Sequence, residues 1–280
     1  MTPHRLLLVS FTFASTGFAA TVASFNGGAD TPVALQAFGD INFPPNIQPA
    51  GGFSGGYLQV TSPNNSEHNW ATFDRTDVGT YPSANFSFRF KLQAGATPTA
   101  DGMSFSFAST TNYGTSGGIG GAPFTAEDPN AAGILGFGFD TWSNHGGVEL
   151  NSPDDPAQPQ GSNYEEISVF YNGALVNRIN DTRVLATPLT LDDGLWHAVT
   201  GTVNFAGGTI SLSVDGNSIH NGLAVPGLVP FESRIMFAGR TGGENEDAGI
   251  DDLNVTWVPE PGAAALGLVG FLTFLRRRRA

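Results

Sequence analysis

The sequence predicts an all-β protein, an antiparallel β-sandwich, on three observations. Ten short runs in which apolar and polar residues alternate recur across residues 21–257. Clusters of turn-forming residues separate them, and no segment in that span carries a convincing 3.6-residue apolar period. Alternation with period two puts every second side chain on one face of a strand. Many half-buried strands joined by polar turns then pack as two facing sheets.

In chain order the runs begin with "YLQVTS" (57–62), "WATFDR" (70–75), "NFSFRFKL" (85–92) and "GMSFSFAS" (102–109). "GILGFGFD" (133–140), "EEISVFYNG" (165–173), "WHAVTGTVNF" (196–205) and "TISLSVDG" (209–216) follow, then "RIMFAGR" (234–240) and "IDDLNVTW" (250–257). Between them lie "SPNN", "AGG", "VDGNS" and "VPG", rich in residues that tolerate or favour turn dihedrals. No unit of 20–50 residues repeats, which argues against a propeller or solenoid. Two long connections, 110–131 and 144–164, are polar, rich in Gly and Pro, and acidic. Loops of that length in a domain are usually functional or disordered, and these two flank the run ending at Asp140, so three loops are placed to meet at one end of the sandwich.

The 280 residues include no cysteine, which excludes disulfides and thiolate metal sites, and charged residues are only 13%. Residues 21–257 hold seven basic against 24 acidic residues, a balance of −17. Phosphate binding needs a basic footprint, so nucleic acid is excluded as a partner. A divalent cation or a neutral ligand such as a sugar is compatible with this charge.

Both ends read as addresses. His4 and Arg5, an apolar stretch over 6–16 and the small residues after it form the pattern of a secretory signal peptide, 1–20, with cleavage near Ala19, Ala20 or Ala23. At the other end, 258–280, Gly262 to Leu275 is a 14-residue apolar run ahead of Arg276 to Arg279. It is shorter than the roughly 20 residues of an ordinary span, but a four-arginine block belongs on the cytoplasmic side of a membrane rather than at the end of a core helix. With Pro259-Glu260-Pro261 in front, this layout closely resembles the PEP-CTERM sorting signal. The resemblance implies a short transmembrane helix over 262–275, removal of the tail by an exosortase-type enzyme, and a route from the inner membrane to the cell surface or exopolysaccharide matrix.

The chemistry concentrates in "FDTWSNH" (139–145). Asp140 and Asn144 leave a strand four residues apart with Trp142 between them. An ordinary turn, a metal-ligand loop and a catalytic carboxylate all fit that spacing. Calcium takes hard oxygen ligands, so Asp140, the main-chain oxygen of Trp142 and Asn144 form a candidate set, with Asp154 or Asp155 to close it and Glu149 after them. Upstream, "TADGMSFSFAS" (99–109) opens a strand and "SGGIGG" (116–121) follows.

That order resembles the legume-type (L-type) lectin domain, a concanavalin A-like jelly roll, over roughly 57–257. The family has an Ala-Asp-Gly strand opening, a glycine loop and an F-D-T-aromatic-x-Asn metal loop, and "ISVFYNG", "MFAGRTGG" and "IDDLNVTW" sit where it has its later strands and last loop. The resemblance implies calcium ligation by Asp140, Trp142 and Asn144, and a sugar-binding Asp101 that follows a cis peptide from Ala100. It also implies sugar contacts by Asn144, stacking by Trp142 and a backbone N–H from Gly120 or Gly121. Two departures stand out: Gly138 replaces a metal-binding glutamate and Glu166 replaces a histidine, so the transition-metal half of the family's site is absent and at most the calcium half remains. Each residue also has a plain structural reading. Asp101 can be a turn aspartate, Trp142 a rim aromatic and His145 a solvated loop residue. His197 reads as structural, and Asp251 and Asp252 as pins for the last strand.

Catalysis is disfavoured. Sandwich glycosidases carry acids alternating along one strand, about 5 Å apart for a retaining mechanism, whereas the adjacent acids of "NYEEISVF" and "IDDLNV" point to opposite faces. No G-x-S-x-G, HExxH or phosphate loop is present. The leading expectation is an exported, calcium-assisted carbohydrate-binding protein that is not an enzyme. A structural matrix protein without a ligand site is the alternative, and a polysaccharide-cleaving enzyme the weaker one.

Overall fold

All ten alternating runs form strands in the computed structural model, which describes residues 20–95, 99–143 and 163–259. The first strands are β1 (Ala20–Ala23), β2 (Val33–Ala37), β3 (Asn46–Gln48), β4 (Tyr57–Thr61) and β5 (His68–Phe73). β6 (Ser83–Ala94), β7 (Gly102–Ser109), β8 (Ile134–Trp142), β9 (Asn163–Tyr171) and β10 (Ala174–Ile179) follow. β11 (His197–Asn204), β12 (Thr209–Val214), β13 (Asn217–Ala224), β14 (Ser233–Arg240) and β15 (Glu246–Val258) complete the set. Helix among the described residues is limited to a single turn, α1 (Thr110–Tyr113), and a 3₁₀ turn at Thr182–Val184. Apart from Ala20, already in β1, the proposed signal peptide lies outside the described residues, as does the apolar run 262–275.

Two antiparallel sheets face each other. One runs β13-β12-β11-β6-β15-β4-β3 with β1 added on β15, the other β10-β9-β8-β7-β14-β5-β2. Between them the inward side chains form the main core: Phe86, Phe88 and Phe90 of β6 meet Phe105 and Phe107 of β7, Phe137 and Phe139 of β8, and Phe237 of β14. Phe rings dominate because two sheets about 10 Å apart leave room for large side chains from both faces. The β9–β10 and β12–β13 hairpins turn on Asn172-Gly173 and Asp215-Gly216, all four at positive φ (51°, 87°, 49°, 77°), the dihedrals of a tight hairpin turn.

The second sheet is buried on its outer face as well. The segment 119–131 lies across it, and Ile119, Phe124, Ala126 and Ala131 pack on Trp70, Ala108, Ile134, Met236 and Ala238. The alternation of Gly and Phe in β8 follows from this. Leu135, Phe137 and Phe139 face the main core, while Gly136 and Gly138 lie beneath the covering segment. A Cβ on Gly138 would sit 2.4 Å from the carbonyl oxygen of Glu127, and one on Gly136 2.4 Å from the Pro129 ring. Ser104 of β7 donates its hydroxyl to the carbonyl of Ala126 at 2.5 Å, fixing the same segment. The second half of the long connection 110–131 is thus packed as part of a second small core.

Arg234 anchors the first half. Its side chain, fully buried on the outer face of β14, donates Nε to Phe73 O (2.7 Å), Nη2 to Thr72 O (3.3 Å) and Gly117 O (2.5 Å), and Nη1 to Tyr113 O (3.2 Å). The glycine-rich stretch after α1 is thus held to the end of β5 through its carbonyls.

Candidate functional site

Registered pairing builds the site from one row of residues across five strands. His68 of β5 pairs with Arg240 of β14, Arg240 with Gly102 of β7, Gly102 with Asp140 of β8, and Asp140 with Glu166 of β9. Neighbouring strands are about 4.8 Å apart, so the row extends roughly 20 Å along one end of the outer face. Gly102 leaves a gap in it, and Glu127 from the covering segment fills that gap: a Cβ on Gly102 would lie 3.2 Å from the Glu127 Cβ.

The row is electrostatically interleaved. Arg240 donates Nε to Asp101 Oδ2 at 3.2 Å and places Nη2 2.9 Å from Glu127 Oε1. At the other end Arg178 of β10 lies 3.3 Å from Glu166 Oε2. All four acids, Asp101, Glu127, Asp140 and Glu166, are buried.

Asp101 sits where sequence reasoning put it, at the entry to β7, and its peptide bond with Ala100 is cis. Its carbonyl accepts the N–H of Thr141 at 2.9 Å and its own N–H donates to Arg240 O at 3.2 Å, which locks the turn between β8 and β14. Asp101, Trp142, Arg240 and His68 line one cleft of ≈ 560 Å³, whose far wall is Thr241–Glu244 with Gly39 and Ser66. That wall is stitched to the loop before β5. Glu67 N–H donates to Thr241 Oγ1, Thr241 N–H to Glu67 O, and Ser66 N–H to Gly242 O, each at 3.0 Å. Burial, with Arg240 beside it, holds the His68 imidazole down to about 4, so it is neutral at physiological pH.

The cleft unites Asp101 with Trp142. Gly120 and Gly121, the expected N–H donors, are exposed and do not line it, because Ile119 and Phe124 pin their stretch over Trp70. Gly242 and Gly243 stand in the wall instead. His68, Arg240 and Glu127 were not singled out from sequence. The arginine closing the apolar "RIMFAGR" was the available signal for Arg240.

Of the expected metal ligands, Asp140 and Trp142 are described, while Asn144, Asp154 and Asp155 lie outside the described residues, as do His145 and Glu149. Asp140 Oδ1 accepts the Trp142 N–H at 2.7 Å, which curls the chain at the strand end. Among the described residues no three His, Asp or Glu side chains are grouped to hold a metal. The described donors are hard oxygens suited to calcium. The transition-metal half does not fit: Gly138 is capped by Glu127 O, and Glu166 faces a guanidinium.

Glu165 and Glu166 lie on opposite faces and cannot act as a catalytic pair. Glu165 points inward and accepts Thr182 Oγ1–H at 3.0 Å and Leu191 N–H at 2.9 Å, yet burial raises it to about 7. Its folded value exceeds the unfolded 4.5 or so, so its contribution to stability is complete below about pH 4.5, falls as pH rises towards 7, and stays lost above. In urea titrations at pH 5 and pH 8, Glu165→Gln is expected to remove on the order of 2–3 kcal/mol of this loss. An unchanged pH slope in the variant would overturn the assignment. His197, between Asp215 (2.7 Å) and Asp193 (3.1 Å), and Asp251, which accepts the Ser54 N–H at 3.0 Å, hold structural positions.

No protein-family model matches the chain and no curated protein does. Solved structures of similar fold include several lectins. Lectin II from Ulex europaeus is 17% identical over 85% of this chain and 97% of its own, with a TM-score of 0.56. The Bauhinia forficata lectin in complex with GalNAc is 17% identical over 87% and 99%, also at 0.56. The exoplasmic/lumenal domain of VIP36 in its Ca²⁺/Man-bound form is 11% identical over 86% and 90%, at 0.55. The chain therefore has the legume-lectin type of sandwich fold.

Proposed function

We propose that this chain is an exported carbohydrate-binding protein whose ligand enters the Asp101–Trp142 cleft. The observation that carries the reading is that cleft itself, where a buried carboxylate held by Arg240 stands beside an indole at a loop-built end of the sandwich. An indole offers an apolar face for a sugar ring and a carboxylate accepts its hydroxyls. The similar structures include forms bound to GalNAc, galactose and mannose. Fold alone does not fix function, so the proposal rests on the cleft.

Calcium assistance belongs to the same proposal, with Asp140 and the Trp142 main-chain oxygen as its described donors and Asn144 with Asp154 or Asp155 as the rest. Asp101→Ala is expected to lower affinity for a glycan identified by array screening by about tenfold to a hundredfold, the worth of a hydrogen bond to a charged group. The far-ultraviolet circular dichroism should stay unchanged, and chelation should weaken binding. Unaltered binding in both experiments would sink the proposed site.

Export through the N-terminal segment and PEP-CTERM sorting of 258–280 complete the proposal. Strand β1 bears on the cleavage position. Cleavage after Ala19 leaves β1 whole, whereas cleavage after Ala23 removes it and its ladder to β15. The intact mass of the exported chain is expected to match the first.

A further inference from the structure

Where the chain leaves β15, one registered row crosses the first sheet. Val258 pairs with Ser83, Ser83 with Asn204, Asn204 with Thr209, and Thr209 with Ala224. The connections 74–82, 205–208 and 225–232 begin or end on that row, so they gather around the exit. Rings pack beneath them. Trp257 lies 6.0 Å from Tyr81 and 6.4 Å from Phe205, and Phe205 lies 5.4 Å from Phe231, centroid to centroid.

This end offers apolar side chains to its surroundings. Val78 is 73% exposed and Val229 59%, and Pro226 and Pro230 beside Val229 are exposed too. The stretch "VPGLVPF" (225–231) holds no charge in a strongly acidic body. The charged residues of the three connections are engaged: Arg75 with Glu232 (2.9 Å), Asp74 with Arg234 (3.8 Å), and Asp77 with the Tyr81 hydroxyl (3.4 Å). Isolated exposed valines are common on any surface; the spacing to the tail gives these two their meaning. Four residues separate Val258 from Gly262, where the apolar run 262–275 begins, and Pro259 and Pro261 among them have fixed φ. Fully extended, that spacer reaches roughly 14 Å. A headgroup layer takes up about 5–8 Å of it. A domain so tethered cannot stand clear of the lipid.

We infer that the exit end is a lipid-contact surface: while the tail is anchored, Val78 and Val229 enter the headgroup layer of the leaflet outside which the domain lies. The inference rests on the reading of 258–280 as a membrane-anchored sorting tail and deepens it to an interaction surface with a stated partner. The contact is apolar rather than ionic, because an acidic body is repelled by anionic lipid, so zwitterionic headgroups suffice. A small patch is enough here. The tether makes the contact intramolecular, at an effective concentration on the order of millimolar for so short a spacer. Removal of the tail ends that advantage and releases the domain.

The chain has no cysteine, so single fluorophores can be placed at will. Val78→Cys, Val229→Cys and Ile41→Cys are each labelled with nitrobenzoxadiazole in the chain with its tail in place. Ile41 serves as reference: it is 74% exposed and two residues from Gly39 of the cleft wall. The chains are reconstituted into phosphatidylcholine vesicles carrying nitroxide-labelled lipid. The labels at Val78 and Val229 are expected to show blue-shifted emission and at least twice the nitroxide quenching of the label at Ile41, at low and high salt alike. Adding Val229→Asp to the Val78→Cys chain should bring its quenching down to the Ile41 level. Equal quenching at all three sites in chains that float with the vesicles overturns the contact surface alone. A blue shift without lipid quenching means that protein, a second copy of this chain, covers the patch, and it overturns the lipid assignment. Chains that fail to float with the vesicles overturn the anchored-tail reading and this inference with it.

Discussion

Arg234→Met is expected to cost about 3–5 kcal/mol in urea denaturation, because a buried guanidinium that bridges four main-chain carbonyls is lost. Methionine fills much of the volume, so the loss reports hydrogen bonds rather than a cavity. The carbonyls of Phe73 and Thr72 are left without their donor at the end of β5, and those of Tyr113 and Gly117 lose the tie that holds the glycine stretch. Limited proteolysis should therefore cut the variant within 110–118 well before the wild-type chain. Arg234→Lys keeps the charge but not the planar fork and is expected to recover only part of the loss. A cost below about 1 kcal/mol, with no change in proteolysis, would show that the loop is held by its apolar contacts alone.

Phe105→Ala is the second large effect, about 3–5 kcal/mol for an aromatic removed from a core that cannot collapse around the gap. The Phe105 ring lies 5.0 Å from Phe86, 4.9 Å from Phe88, 5.3 Å from Phe107 and 5.2 Å from Phe237, centroid to centroid. These neighbours come from three strands in both sheets, so none can move into the space without leaving its own partners. Phe105→Leu is expected to cost about 1.5 kcal/mol or less, as the volume is largely kept. Equal costs for the two variants in equilibrium unfolding would refute the packing account.

The strands legible in the sequence and those that were not divide by position. β7 matches its run end to end, and β4, β6, β8, β9, β12 and β14 lie within a few residues of theirs. The five strands without a quoted run of their own are β2, β3, β10, β13 and β1. The first four are the edges of the two sheets and β1 is an addition beside β15. An edge strand has solvent on one side and weak burial, so its alternation is faint. β3 is three residues with two exposed, and β13 pairs through register shifts.

At the site, Asp101 and Trp142 were readable because a strand boundary is a local feature. Arg240, His68 and Glu127 were not, because their meaning lies in a row set by registers between β5, β14 and β7 and by a covering segment over 100 residues before Arg240. The glycine stretch 117–121 has a local structural role that the sequence alone leaves open. Glycine marks where backbones come close or turn, and here Gly118 lies against the Gln36 side chain rather than against a ligand space.

Strand β15 also has a polarity. Its first residue, Glu246, lies two residues after the cleft wall, and its last, Val258, pairs with Ser83 at the far end of β6. Thirteen extended residues separate the two points by roughly 40 Å. Ala20 enters the sheet opposite Thr256, beside that same far end. Chain entry and chain exit therefore share one pole of the sandwich and the cleft occupies the other. A tether continuing from Val258 would hold the domain like a stalk holds a cup, mouth turned away from whatever it is fixed to.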